Sequence, residues 1–172
     1  MPGQANKRKR DELDSFQWHS TPLTLRYELV QNMLRCGIDV NNYDKQGNTV
    51  LMAFVTHLCD CEDDKTLAKL LHLLIPNGAD IHRRNRQGET ALHVAVRLGR
   101  KTATKVLLEN SANVHARTVE GKGVLAVGEE HCLEEAEDRH LYSSILACMG
   151  LAIRYGAVAA PTLVQEWSLS NL

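Results

Sequence analysis

Between residues 85 and 117 the apolar positions fall on two short helical faces separated by polar turns. Ala91, Leu92 and Ala95 share one face of a helix that Thr90 is placed to cap, and Gly99 stops it. A second helix starts near Thr102 and carries Ala103, Val106, Leu107 and Leu108 on its inner side. Ser111 and Ala112 close it, and Val114 follows in an extended loop. Ahead of the pair, Gln87-Gly88 supplies a turn in which glycine can take positive φ. Neither helix could persist alone, because isolated helices under ~12 residues are marginal in water. Stacking on similar neighbours would stabilise them.

The same phrases recur along the chain. Gly-Ile-Asp-Val-Asn at 37–41, Gly-Ala-Asp-Ile-His at 78–82 and Ser-Ala-Asn-Val-His at 111–115 close successive units. Asp-Lys-Gln-Gly-Asn-Thr-Val-Leu at 44–51 and Asn-Arg-Gln-Gly-Glu-Thr-Ala-Leu at 85–92 open them, with a weaker echo at 118–125. Gly88 and Gly121 lie 33 residues apart, whereas Gly47 and Gly88 lie 41 apart, so one unit carries an eight-residue insertion.

Residues 88–95 (Gly-Glu-Thr-Ala-Leu-His-Val-Ala) and 107–114 (Leu-Leu-Glu-Asn-Ser-Ala-Asn-Val) resemble the ankyrin repeat, with Ala91 where the family phrase has proline. The resemblance implies an all-α fold, an ankyrin-like α-solenoid of three to four helix-turn-helix repeats with hairpin loops and atypical terminal units. It also implies a structural role for His93, hydrogen-bonded around Thr90 and the neighbouring loops. The units run over about 20–43 (partial), 44–84, 85–117 and 118–160. Within 44–84, Met52 stands at the histidine position, an acidic loop around 59–64 lengthens the first helix, and a second helix spans 66–75. In 118–160, Gly123 and Gly128 replace the expected Thr and Ala and a glutamate-rich insertion precedes a helix over 141–155, which leaves the conformation of 123–140 open. Residues 20–22 (Ser-Thr-Pro) start a helix, and 27–36 form the second helix of the partial first unit. Residues 161–172, with Trp167, are expected to cap the array, and 1–19 form a basic tail expected to be disordered.

Composition narrows the function classes. The chain has 172 residues, a net charge of -1, 44% hydrophobic and 24% charged residues, so a globally basic nucleic-acid binder is excluded. Its five cysteines follow no disulfide spacing, and a reducing compartment suits them. No signal peptide is read at the start, and the longest apolar run, 145–153, falls far short of the ~20 residues of a membrane span. A cytoplasmic or nuclear location is expected, without membrane contact. Lys7, Arg8, Lys9 and Arg10 form a basic tetrad that would serve nuclear import or grip nucleic acid weakly.

No phosphate-binding glycine loop, Gly-x-Ser-x-Gly elbow or His-Glu-x-x-His motif occurs, so no cofactor and no catalytic residue is assigned. His57, Cys59 and Cys61 are the most metal-like cluster, but zinc wants four ligands and no second cysteine pair follows. A solvated acidic segment is the favoured reading there, and His131, Cys132 and His140 are weaker still.

By resemblance, the hairpin tips and first-helix face line a concave surface. Its candidate partner-binding residues are Lys45, Gln46 and Asn48, then Arg84, Arg86, Gln87, Glu89, Arg97 and Leu98, then Arg117, with Asn42, Glu120 and Lys122 beside them. Arg83, Arg84, Arg86, Arg97 and Arg117 make its centre basic, and arginine favours carboxylates, so an acidic protein segment is the expected partner. The expected function is non-catalytic protein–protein interaction. The alternatives are an ankyrin scaffold that has acquired enzymatic or metal-dependent activity, and a nuclear regulatory cofactor.

Overall fold

The computed structural model describes residues 23–37, 39–57, 60–134 and 138–159, with the side chains of 23, 24, 26 and 60–64 left aside. The basic tetrad, Cys59 and residues 161–172 therefore lie outside the described residues. Seven helices are described: α1 (Leu23–Arg35), α2 (Val50–His57), α3 (Asp60–Leu74), α4 (Ala91–Arg97), α5 (Lys101–Glu109), α6 (Val124–Glu134) and α7 (Arg139–Arg154). Two rows result. The short helices α2, α4 and α6 pack in sequence as an inner row, and α1, α3, α5 and α7 pack in sequence as an outer row. Each inner helix also packs on the outer helix that follows it. This is an all-α solenoid in two layers.

The core lies between the rows. Helix α4 is buried over its first six residues, Ala91 to Val96, because α2, α6, α5 and α7 surround it. Helix α2 buries Val50, Leu51, Met52, Phe54 and Val55, while α3 adds Leu67, Leu70, Leu71 and Leu74. In α5, Ala103, Val106, Leu107 and Leu108 are buried as the periodicity predicts. Leu51, Leu92 and Leu125 open equivalent helices, and all three are buried.

One expectation is corrected, and part of a stretch that the sequence left open takes a defined form. The acidic stretch is not a loop lengthening the first helix: α2 ends at His57, and the backbone from Asp60 onward is already helical, as the start of α3. Carboxylates in a helix's first turn are favoured by the positive end of its dipole. The helix expected over 66–75 is thus longer at its start. The degenerate last unit also keeps its inner helix, α6, despite Gly123 and Gly128. A Cβ at Gly128 would sit 2.9 Å from the Met149 side chain and 3.0 Å from Val96 Cγ1. The missing side chain lets α6 settle between α4 and α7, so packing outweighs the low helix propensity of glycine. Helix α7 then begins at Arg139, capped by Asp138, whose carboxylate accepts from the N–H groups of His140 and Leu141.

Hairpin tips project between successive units. Across the mouth of each runs a backbone bond, Asp44 N to Asn48 O (3.0 Å), Asn85 N to Glu89 O (2.9 Å) and Thr118 N to Lys122 O (2.9 Å), and inside it the tip glycine N–H donates back to the carbonyl of Asp44, Asn85 or Thr118. Adjacent tips are also tied together, Arg86 N donating to Gln46 O and Val119 N to Gln87 O, both at 2.9 Å. The second and third tips therefore each dock on their predecessor through the main chain, whatever the side chains are.

Candidate binding groove

Beside these tips, a groove of about 580 Å³ runs along the inner row between the second and third tips and helices α4 and α6. The second tip contributes Arg86, Gln87 and Glu89, and α4 contributes Arg97. The third tip contributes Thr118, Val119, Glu120 and Lys122, and α6 contributes Val127, Glu130, His131 and Glu134. Of the expected partner-binding residues, the groove gathers Arg86, Gln87, Glu89 and Arg97. Lys45, Gln46, Asn48, Arg84, Leu98 and Arg117 are not among its lining.

Several of these side chains already have work inside the fold. Asn85 Oδ1 accepts from the N–H groups of Gln87 and Glu89, which shapes the tip, and its amide donates to Asn48 Oδ1 and Glu89 Oε2. Asn48 is further engaged with Asp44, so it is a strut between two tips. Buried Glu89 also receives Arg97 Nε at 3.1 Å. Arg97 thus enters the groove with its charge partly matched. Leu98 packs against the core, and Arg117 donates to the Gly121 carbonyl of its own tip. Arg83 lies over the Tyr43 ring at 5.9 Å from its centroid, a cation–π arrangement, while Arg84 and Arg86 are exposed.

The far wall is a charge cluster. Lys122 Nζ sits 2.7 Å from both Glu120 Oε2 and Glu130 Oε1. Hydrogen bonds to these two carboxylates hold Lys122 well above the usual lysine range, and its ammonium pulls Glu120 down. His131 Nδ1 and Glu134 Oε2 are 3.1 Å apart. Val119 is 75% exposed at the third tip, so an apolar contact stands between this cluster and the arginine-bearing second tip. The α6 contribution was not legible as groove in the sequence, because its unit lacks the repeat's Thr and Ala positions.

His93 lies beneath the groove and is fully buried. Its Nδ1 accepts from the Thr90 N–H at 3.3 Å and lies 2.9 Å from Thr90 Oγ1, which fixes the start of α4. With Nδ1 accepting, the ring proton belongs on Nε2. Burial pushes the pKa of His93 below 6.5, against the opposing pull of the Glu89 carboxylate and the backbone of Ala116 and Lys122. A folded-state pKa below the unfolded one means that the unfolded chain takes up the proton first. The stabilisation is complete above about pH 6.5 and is lost as pH falls through the window beneath it. Melting temperature should therefore drop more steeply from pH 7.5 to pH 5 in the parent chain than in His93→Gln; parallel pH profiles would refute the assignment.

Cys132 is buried, and desolvation followed by the Glu129 charge pushes its thiol up, which disfavours the nucleophilic thiolate. No group of three or more His, Cys, Asp or Glu side chains among the described residues is placed to hold a metal ion. Among the described residues, no helix is long and apolar enough to cross a membrane.

Stacked helix pairs with tied hairpin tips and an open lateral groove define a repeat-type binding scaffold. The chain belongs to the ankyrin-repeat family: a family model described as ankyrin repeats (3 copies) matches residues 23–118, more than half of the chain. Ankyrin repeats mediate protein–protein interaction. The chain is similar to the nuclear factor NF-kappa-B p105 subunit of Gallus gallus, 32% identical over 110 residues, 63% of this chain and 10% of that protein. It is also similar to the B-cell lymphoma 3 protein homolog of Mus musculus, 31% identical over 99 residues, 57% of this chain and 21% of that protein. The Notch-regulated ankyrin repeat-containing protein A of Danio rerio is 39% identical over 69 residues, 40% of this chain and 54% of that protein. The matches thus span from a tenth to about half of these relatives' lengths.

Proposed function

We propose that the chain is a non-catalytic module that holds a segment of another protein in the groove between its second and third hairpin tips. The observation that carries this reading is the groove itself, whose wall places exposed Val119 between the Arg86 tip and the Lys122–Glu130 cluster. The ion pairs fix the wall before a partner arrives, which lowers the ordering cost of binding. An acidic stretch of the partner would meet Arg84 and Arg86, and an apolar residue would cover Val119. Arg97 contributes through its pairing with Glu89, and Lys45, Gln46, Asn48, Leu98 and Arg117 act by shaping and supporting the tips.

The test compares proteins retained by the parent chain, by Arg84→Glu/Arg86→Glu and by Lys105→Glu on the outer row. A partner that remains with the parent and the outer-row variant but falls at least tenfold on the groove variant supports the placement, by charge reversal at a complementary surface. Equal retention by all three would place the partner elsewhere.

A second reading is favoured by the Lys7–Arg10 tetrad and by the resemblance to a nuclear factor subunit: the module works in the nucleus as a regulatory cofactor. Deleting residues 7–10 should then shift the protein out of the nucleus in fractionated or imaged cells. An unchanged distribution would count against that reading.

A further inference from the structure

The two walls of the groove carry opposite charge. Arg86 and Arg97 outweigh Glu89 on the second-tip side, and exposed Arg84 stands beside them, so that wall is positive. On the third-tip side Glu120, Glu130 and Glu134 outnumber Lys122, so with histidine neutral that wall is negative. Lys122 is poorly placed to receive an incoming anion, because its Nζ is already held at 2.7 Å by both Glu120 and Glu130. Val119 lies between the two signs.

Spacing along α6 orders the negative wall. Val127, Glu130, His131 and Glu134 recur at helical steps and form one face turned to the groove. Glu130 and Glu134 stand one turn apart on that face, where like charges repel. Lys122 answers Glu130, whereas Glu134 meets the His131 ring at 3.1 Å with its side chain still 64% exposed. Glu134 also stands in the last turn of α6, the end at which a helix dipole favours positive charge over a carboxylate.

This separation of charge limits what the groove can hold. A segment acidic along its whole length would be drawn to Arg84 and Arg86 but repelled by Glu130 and Glu134, and a polyanion such as nucleic acid meets the same conflict. A uniformly basic segment meets the reverse one.

We propose that the protein segment held in the groove is bipolar: an acidic end against Arg84 and Arg86, an apolar residue on Val119, and a lysine or arginine seated on the α6 face between Glu130 and Glu134. The cation relieves the repulsion between the two carboxylates. Like-charge contacts penalise a segment seated the other way round, so the groove fixes which end of the partner lies at which wall. The inference rests on the groove reading proposed above and adds the cationic end to it.

A phage-displayed library of random linear peptides, panned on the full chain, supplies the probes. Enriched peptides should carry aspartate or glutamate on one side of an apolar residue and lysine or arginine on the other. A synthetic copy of such a peptide should bind Glu134→Lys about tenfold more weakly than the parent, or worse. Changing the peptide's basic residue to glutamate should restore its affinity for Glu134→Lys and weaken its affinity for the parent. A merely damaged wall would not exchange its preference in this way. Glu129→Lys makes the same charge change at an exposed α6 position outside the groove lining, and should leave affinity within about twofold of the parent. Enriched peptides with only acidic and apolar residues, sensitive to Arg84→Glu/Arg86→Glu but not to Glu134→Lys, would overturn the cationic end and leave the groove reading intact. Peptides indifferent to both groove variants bind elsewhere and would defeat both.

Discussion

Replacing Leu92 by alanine is expected to destabilise the protein by about 2–5 kcal/mol, the usual cost of truncating a buried leucine. Leu92 is 1% exposed on α4, the helix that packs against both inner neighbours and two outer helices. A cavity there cannot be relieved by movement of one unit, since α4 is held from four sides. In a stacked array, stability is a sum of unit terms and nearest-neighbour interface terms, and each unit contacts only its neighbours. Weakening the central unit therefore lowers two interfaces at once. Urea unfolding followed by circular dichroism should give a lower midpoint with Leu92→Ala, and the slope should stay the same if the units still unfold together. Lys105→Ala, on the exposed face of α5, is the matched control and should stay within about 0.5 kcal/mol of the parent. A Leu92→Ala loss no larger than that control would mean that the inner row is not the core.

How much of this was legible in the sequence depended on whether local and tertiary preferences agreed. In residues 85–117 they agree: Thr90 caps, Gly99 stops, and Ala91, Leu92 and Ala95 face inward, so α4 and α5 emerge close to where their periodicity puts them. At Asp60 they conflict on the surface only. A run of acidic residues suggests solvated loop, yet the same residues favour a helix start, and α3 begins there. At Gly128 propensity argues against a helix, and only the closeness of Met149 and Val96 explains why glycine suits it. That information lies in a neighbour's position and not in any local pattern. The groove divides in the same way. Arg86, Gln87, Glu89 and Arg97 come from the near-consensus unit and were readable, whereas Val119, Val127, His131 and Glu134 come from the tip and helix of the degenerate one. The pairing of Arg97 with buried Glu89 was also hidden, since nothing in an eight-residue separation announces it.

The tip glycines offer the sharpest separation of local strain from contact between units. Gly47, Gly88 and Gly121 share one backbone conformation, with φ of 82°, 76° and 78°. Any L-residue there meets the same left-handed penalty of roughly 1–2 kcal/mol. Their surroundings differ. A Cβ at Gly88 would lie 2.6 Å from Val119 N and 3.0 Å from the Thr118 carbonyl carbon, so it would strike the backbone of the next tip. At Gly47 the nearest atom, Arg86 N, is 3.1 Å away, and at Gly121 nothing lies within 4 Å. Gly88→Ala must therefore separate the second and third tips and weaken the Val119 N to Gln87 O bond, for a total cost of about 2–4 kcal/mol. Gly121→Ala should cost only the conformational share, and Gly47→Ala should fall between them. Denaturation midpoints of the three variants measure the order directly. Because Val119 lines the groove, Gly88→Ala should also weaken partner retention, and more than Gly121→Ala, whose Cβ meets nothing within 4 Å. Equal destabilisation by all three alanines would show that the tips do not bear on one another, and the groove would then lose the wall that the second and third tips form together.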